Sequence, residues 1–351
     1  MPADVETAAV ATTTADGSQS PRAPFSLLDV GIADILEPVY REEELNAQFQ
    51  VVTKFGFIKT MRYPFLVKNY LDQGFKVVLV VQFLDTLTTN LKQIGDGLYD
   101  KYLYKFADEL IKDGNREVWV RPMHEFNGDW YPWGTYMGGT NTIQNFIRAY
   151  RHVYQVLTAK GANIKFQLGY NCVNGANDKK TPFSAWWPGD DVVDMVVCSA
   201  YNRAGTDQFH TQWQTWPDVF QLGYDQMAAL PTSAPLGVGE MGTVGMAGED
   251  KAGWIRDAFA AFPTLYPRVE QITWFLEDKD DGEWDLNSAD EIEAFRDSLL
   301  QYTPQGLPQV LPAVVPLQDV NGDGLINTVD APPFPTGSAS NSGGGAANSD
   351  I

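Results

Sequence analysis

Basic side chains are scarce in this chain: 25 Lys and Arg stand against 45 Asp and Glu, a formal net charge of −20. Proteins hold a phosphate backbone with clustered cations that release counterions, so this deficit excludes nucleic acid as a partner and disfavours anionic membranes in the same way. No run approaches the roughly 18 consecutive apolar residues of a membrane-spanning helix. The first twenty positions have neither the charged start nor the apolar core of an export signal. Only two cysteines occur, Cys172 and Cys198, too few for a disulfide framework and wrongly spaced for a zinc knuckle. They are expected to be two buried thiols, with a single bridge as the alternative. Of the three histidines, His152 and His210 have no Cys or carboxylate at ligand spacing, so no metal or other cofactor is expected in catalysis.

What is present is a hydrophobic fraction of 44% over 351 residues, enough for one large core. An acidic, Trp-rich, Cys-poor composition suits a secreted or cell-surface enzyme, in which case this sequence is a processed or recombinant form. Residues 1 to 22 are small and polar and are expected to be a disordered leader, because they cannot bury enough surface to offset ordering entropy.

From 23 to 303, β-branched or apolar runs alternate with amphipathic helical stretches. Eight runs read as strands: 27–32, 55–63, 75–83, 117–125, 163–171, 192–202, 235–242 and 271–276. Apolar residues at i, i+3, i+4 spacing predict helices from Glu42 (EEELNAQFQVVTKF), Leu98, Asn141 and Glu249. Asp113-Gly114 and Lys160-Gly161 read as left-handed helix ends. Eight strands each followed by a helix predict an α/β fold, a (β/α)8 TIM barrel. A doubly wound open sheet is the rival, but no GxGxxG follows a strand.

Four prolines in 304–318 mark a stiff linker, and the Gly- and Ser-rich stretch 331–351 a low-complexity tail, so the chain reads as a fragment of a longer modular protein. Between them DVNGDGLINTVD sets oxygen ligands at Asp319, Asn321, Asp323, the Leu325 carbonyl, Asn327 and Asp330, with Gly324 at the sharp turn. That is a Ca2+ loop by ligand count. It resembles half of a dockerin; a cohesin-like partner stays an alternative, weakened by APPFP where a second loop would follow.

Barrel enzymes carry their chemistry at the C-terminal ends of strands. There Glu125 ends the fourth predicted strand, in RPMHEFNGDWYPWG, and Glu240 ends the seventh, in PLGVGEMG. Period-two alternation puts Arg121, Met123 and Glu125 on one face, and Leu236, Val238 and Glu240 on another, so both carboxylates are expected in the barrel mouth. Two carboxylates about 5 to 5.5 Å apart are the equipment for cleaving a glycosidic bond with retention. Trp130, Tyr131 and Trp133 follow Glu125, Tyr201 ends the sixth strand, Trp274 lies in the eighth, and Trp186 and Trp187 follow the fifth. Rings in such places can stack on the apolar face of a sugar. Arg121 is a further candidate for binding substrate.

HEFNGDWYPWG, GGTNTIQNFIRAYRHV, WWPGDDVVDMVVCSAYN, PLGVGEMG and ITWFLEDKDDGEWDLNS resemble, in this order, glycoside hydrolase family 26, best known for endo-β-1,4-mannanases. The resemblance runs from about residue 55 to 300. It implies a (β/α)8 barrel and a retaining mechanism with Glu125 as acid/base and Glu240 as nucleophile. It further implies that His124 tunes the acid, that Tyr201 hydrogen-bonds the nucleophile, and that Trp130 and Trp274 line the subsite of the attacked sugar. The substrate it implies is β-1,4-mannan, with mixed-linkage β-1,3-1,4-glucan and β-1,3-xylan as alternatives, and the expected enzyme is a monomer. A non-enzyme alternative is a carbohydrate-binding cell-surface protein that kept the groove.

Overall fold

A computed structural model of the chain describes residues 28–34, 36–84 and 89–302. The predicted leader, the Pro-rich linker, the calcium loop from Asp319 to Asp330 and the tail lie outside these residues. Eight parallel strands close into one barrel in chain order: β1 (Asp29–Asp34), β2 (Val51–Phe57), β3 (Lys76–Gln82), β4 (Val118–Pro122), β5 (Ile164–Asn171), β6 (Met195–Asn202), β7 (Leu236–Thr243) and β8 (Val269–Leu276). β1 pairs with β8 to complete the ring. This is the (β/α)8 barrel that the alternating pattern predicts.

The helices are α1 (Pro38–Leu45), α2 (Asn69–Asp72), α3 (Leu91–Gly95), α4 (Asp100–Lys112), α5 (Ile143–Thr158), α6 (Trp216–Ala228), α7 (Lys251–Leu265) and α8 (Ala289–Leu300). Several start on side chains that satisfy orphan amides: Thr142 accepts from Asn145, Thr215 from Asp218 and Ser288 from Glu291. Gly114 and Gly161 adopt the expected left-handed conformation after α4 and α5, at φ 86° and 79°.

Two local expectations are overturned. The helix predicted from Glu42 stops at Leu45, because Asn46 turns left-handed at φ 46° and the β-branched run from Val51 pairs as β2 instead. No α-helix follows β5; three short 3-10 turns, Gly175–Asn177, Phe183–Trp186 and Asp190–Val192, make the crossover to β6.

Strands of such a barrel are covered on both faces, which is why β3 reads as an almost unbroken apolar run. Side chains facing the axis, Val51, Val78, Trp119, Met195 and Val197, fill the bottom of the barrel. The opposite faces pack with the helices in the main core. Above the apolar plug lies a polar layer in which Thr53 meets Thr273 at 3.3 Å and Arg121 meets Gln167.

Candidate active site

Arg121 points into the barrel axis with its side chain 1% exposed. Its Nε and Nη2 donate to Gln167 Oε1 at 3.0 and 2.9 Å, and Nη1 donates to the Gly239 carbonyl at 3.1 Å. Two glycines make room for it. A Cβ on Gly169 would lie 2.7 Å from Arg121 Cδ, and one on Gly239 would lie 3.0 Å from Nη1. Arg121 therefore sits beneath the cleft rather than lining it, which corrects its expected role in binding substrate.

The geometry that delivers Glu125 differs from a simple strand end. β4 stops at Pro122, and both Met123 and Glu125 are left-handed at φ 53°. Non-glycine residues are rarely held there, and such strain collects at functional sites. The backbone is pinned by Met123 N donating to Val81 O at 3.2 Å and Glu125 N donating to Gly169 O at 2.7 Å. The side chain of Met123 falls into the main core. The shared face of Arg121, Met123 and Glu125 is thus broken by backbone conformation.

Glu240 is aimed by a comparable device. Between Cys198 and Ser199 the register against β7 slips: Val238 stands opposite Cys198 but Glu240 stands opposite Ser199, leaving Gly239 as the extra residue of a bulge. Leu236 and Val238 pack in the main core on the helix side, while the bulge turns Glu240 toward the axis. The expected common face of Leu236, Val238 and Glu240 is overturned for this reason.

Both carboxyls are nearly buried, Glu125 at 8% and Glu240 at 7% exposure. Trp130 Nε1 donates to Glu125 Oε2 at 2.8 Å, and Asn171 Nδ2 donates to Oε1 at 3.3 Å. Tyr201 donates to Glu240 Oε2 at 2.9 Å, and Arg121 Nη1 lies 3.6 Å from Oε1. Burial pushes both carboxyls above the ordinary range. On Glu240 the charge of Glu125 acts in the same direction, and Arg121, Tyr201 and Lys279 oppose it. On Glu125 hydrogen bonds from Trp130, Ser199 and Asn171 oppose the rise. The two groups feel each other and release their protons as a pair.

His124 is buried among Phe55, Tyr131 and Trp133, with ring centroids 5.8, 4.6 and 5.7 Å away. Burial first, and then the Arg121 charge, lower its pKa to about 3, so the ring is neutral. Tyr131 stacks on Trp133 at 4.6 Å. Trp133 is fully buried and its indole donates to the His124 carbonyl at 2.8 Å. It therefore supports the loop and cannot face a ligand, a correction to its expected place at the cleft. Trp130, at 42% exposure, is the most exposed ring of this loop, with Tyr131 half-buried beside it. Gly128 makes its pose possible, since a Cβ there would lie 2.5 Å from the indole.

Trp274 is also misplaced by the sequence reading. It faces the helices, stacked on Phe259 at 5.5 Å and edge-on to Phe295 at 5.1 Å, and is 2% exposed. Trp186 is buried likewise, against Phe126. The ring found on the Glu240 side is Trp284, from the segment after β8, edge-on to Tyr201 at 5.2 Å. The sequence by itself does not single out Asn171, Ser199, Gln167 or Trp284. Asn171 and Ser199 are polar residues near strand ends, which is the one signal the sequence carries for them.

Cys172 and Cys198 form a disulfide, which corrects the expectation of two thiols; Cys172 just past β5 and Cys198 within the neighbouring β6 have their Cα atoms 5.1 Å apart. His152 contacts Asp100 at 2.7 Å and His210 contacts Asp207 at 2.8 Å. Among the described residues no group of three or more His, Cys, Asp and Glu could hold a metal ion, and no helix is long and apolar enough to cross a membrane.

A closed barrel with two buried carboxyls at its C-terminal mouth, one under a tryptophan and one under a tyrosine, invites comparison with glycan-cleaving barrels. Residues 73–234 match the model of glycosyl hydrolase family 26. The chain is 34% identical over 213 residues to Endoglucanase H of Acetivibrio thermocellus, covering 60% of this chain and 23% of that protein. It is 31% identical over 183 residues to a mannan endo-1,4-beta-mannosidase of Bacillus subtilis, covering 50% of this chain and 43% of that one. The chain thus spans less than half the length of both relatives. The solved structure of a Cellulomonas fimi endo-beta-1,4-mannanase double mutant superposes with a TM-score of 0.57 at 17% identity, over 80% of this chain and 72% of that one, a likeness of fold. Together these matches show that the segment 73–234 is similar to glycosyl hydrolase family 26. Glu125, Asn171, Tyr201 and the disulfide all lie within the family 26 segment, and Glu240 lies six residues beyond it.

Proposed function

We propose that the chain is a retaining endo-β-glycanase whose substrate is β-1,4-mannan, with Glu125 as acid/base and Glu240 as nucleophile. The observation that carries this reading is the pair of buried carboxyls with unlike partners. Glu125 carries only neutral donors, Trp130 and Asn171, whereas Glu240 has the Tyr201 hydroxyl and the nearby Arg121 cation. Burial among neutral donors favours the proton on Glu125 against the pull of the Arg203 charge, and the Arg121 cation favours the anion on Glu240, which burial and the Glu125 charge otherwise push up to about 7.

In the first step Glu125 protonates the departing glycosidic oxygen as Glu240 attacks the anomeric carbon. Tyr201 holds Glu240 by Oε2, leaving Oε1 without a hydrogen-bond donor to compete for its lone pairs. In the second step Glu125, now a carboxylate, takes a proton from water, which displaces Glu240 and leaves the product with retained configuration. Trp130 offers its exposed face to the attacked sugar while its indole N–H holds the acid.

A second substrate, mixed-linkage or β-1,4-linked glucan, is favoured by one observation: the relative with 34% identity is an endoglucanase. The test is side-by-side hydrolysis of glucomannan, galactomannan, lichenan and β-1,3-xylan, with Glu240→Ala as control. Preferential release from the mannans, abolished in the variant, is expected. Equal release by wild type and variant would overturn the roles, and preference for lichenan would transfer the assignment to glucan.

A further inference from the structure

The disulfide lies on the helix side of the barrel, under α6. A Cβ on Gly223 would come within 2.6 Å of Cys172 Sγ and 2.7 Å of Cys198 Sγ, so only glycine leaves the bridge undisturbed. Each half-cystine adjoins a residue that acts on Glu125. Asn171 precedes Cys172, and Ser199 follows Cys198.

Asn171 and Ser199 are direct register partners across β5 and β6, and Cys172 N donates to the Ser199 carbonyl at 3.0 Å. From these positions Asn171 Nδ2 reaches Glu125 Oε1 at 3.3 Å, and the Ser199 side chain acts on the same carboxyl in favour of its anion. The Asn171 amide is turned that way because Val173 N donates to its Oδ1 at 3.0 Å, and Asn127 Oδ1 accepts from its backbone N at 2.7 Å. Ser199 also stands opposite Glu240, at the start of the β7 bulge.

We infer that the Cys172–Cys198 cross-link is a positioning element for the acid of the proposed site. It locks Asn171 and Ser199 side by side so that both can serve Glu125. A contact of 3.3 Å is at the long end of hydrogen bonding, where a few tenths of an ångström decide whether it persists. The covalent tie one residue away from each donor limits that displacement. Of the other groups acting on Glu125, Trp130 and Tyr131 follow β4, Arg121 lies in β4 and Glu240 in β7, while Tyr201 and Arg203 stand at and just past the end of β6, farther from the bridge than Ser199. Cutting the bridge therefore loosens the donors beside it and leaves the β4 and β7 groups in place.

The inference rests on the glycanase reading, and the test separates the two. In the full chain, Cys172→Ala/Cys198→Ala is compared with wild type for kcat and KM against pH, on the polysaccharide wild type cleaves, well below each Tm. Loosened donors stabilise the Glu125 anion less, so the alkaline limb should move to higher pH and kcat fall about tenfold, the effect of weakening a hydrogen bond to a charged group, with KM unchanged. Asn171→Ala should give the same shift in the bridged chain and a smaller one in the bridge-free chain. Ser288→Ala, which removes the α8 cap, should lower Tm without moving the limb.

Should the bridge-free chain fail to fold, Gly223→Ala, which presses on an intact bridge, should move the limb the same way. A variant that loses Tm while keeping wild-type kcat and pH limbs overturns the positioning role alone. Wild-type protein that hydrolyses none of the four glycans overturns the glycanase reading, and this inference with it.

Discussion

Trp130 donates its indole N–H to Glu125 Oε2 at 2.8 Å, so the exposed ring of the β4 loop and the carboxyl at its base form one unit. Trp130→Phe keeps an aromatic face and deletes the donor. Hydrogen bonds to charged groups are worth about 1.5–3 kcal/mol, so kcat/KM should fall by roughly ten- to a hundredfold. Because the lost donor favoured the anion, the alkaline limb should rise. A pH–rate profile checks this; an unchanged limb would mean that Trp130 serves as a sugar platform only.

Glu125→Ala should cost about 10²–10⁴-fold on polysaccharide, the usual worth of a positioned acid. Aryl glycosides with an acidic phenol as leaving group need little protonation, so on them the formation of the glycosyl-enzyme should be much less impaired. Pre-steady-state bursts of phenol followed by slow turnover would carry that signature, whereas equal losses on both substrates would remove Glu125 from the acid role.

Gly169→Ala drives a methyl to 2.7 Å from Arg121 Cδ. Overpacking of this kind costs about 1–3 kcal/mol, read as a fall in Tm. As Arg121 is displaced, Glu240 loses the cation that favours its anion, and the acidic limb of the rate profile should move upward. Thermal melts and pH profiles together test both halves.

Stability should also depend on Glu240. Burial raises its folded pKa above the ordinary 4.5, so folding is favoured with the proton on. That contribution is complete below the unfolded pKa and is lost as pH rises through the folded one. Glu240→Gln, permanently neutral, should therefore raise Tm relative to wild type at alkaline pH, with the difference vanishing below about pH 4. A constant difference at all pH values would contradict the burial account.

Much of the fold is legible in the chain because its signals are local. The β3 run, the paired Gly114 and Gly161 stops and the alternation of strand and helix are written in neighbouring residues, and the barrel follows from them. The end of α1 is not legible because the apolar spacing from Glu42 continues past Asn46. There, backbone conformation and pairing with β3 prevail over periodicity. The directions of Trp133 and Trp274 are not legible because a ring near a strand end has no local mark of which way it points; Trp274 turns to the helices and Trp284, from the segment after β8, stands beside Tyr201.

Residue identity alone determined that this chain could build an acidic barrel and that Glu125 and Glu240 would come near the ends of its fourth and seventh strands. Alternation could not say how either carboxyl would face. The tertiary structure decided that with a left-handed turn at Met123 and Glu125 and a bulge at Gly239. Both devices depend on partners far away in sequence, Val81, Gly169 and Ser199, whose hydrogen bonds and register exist once the barrel has closed.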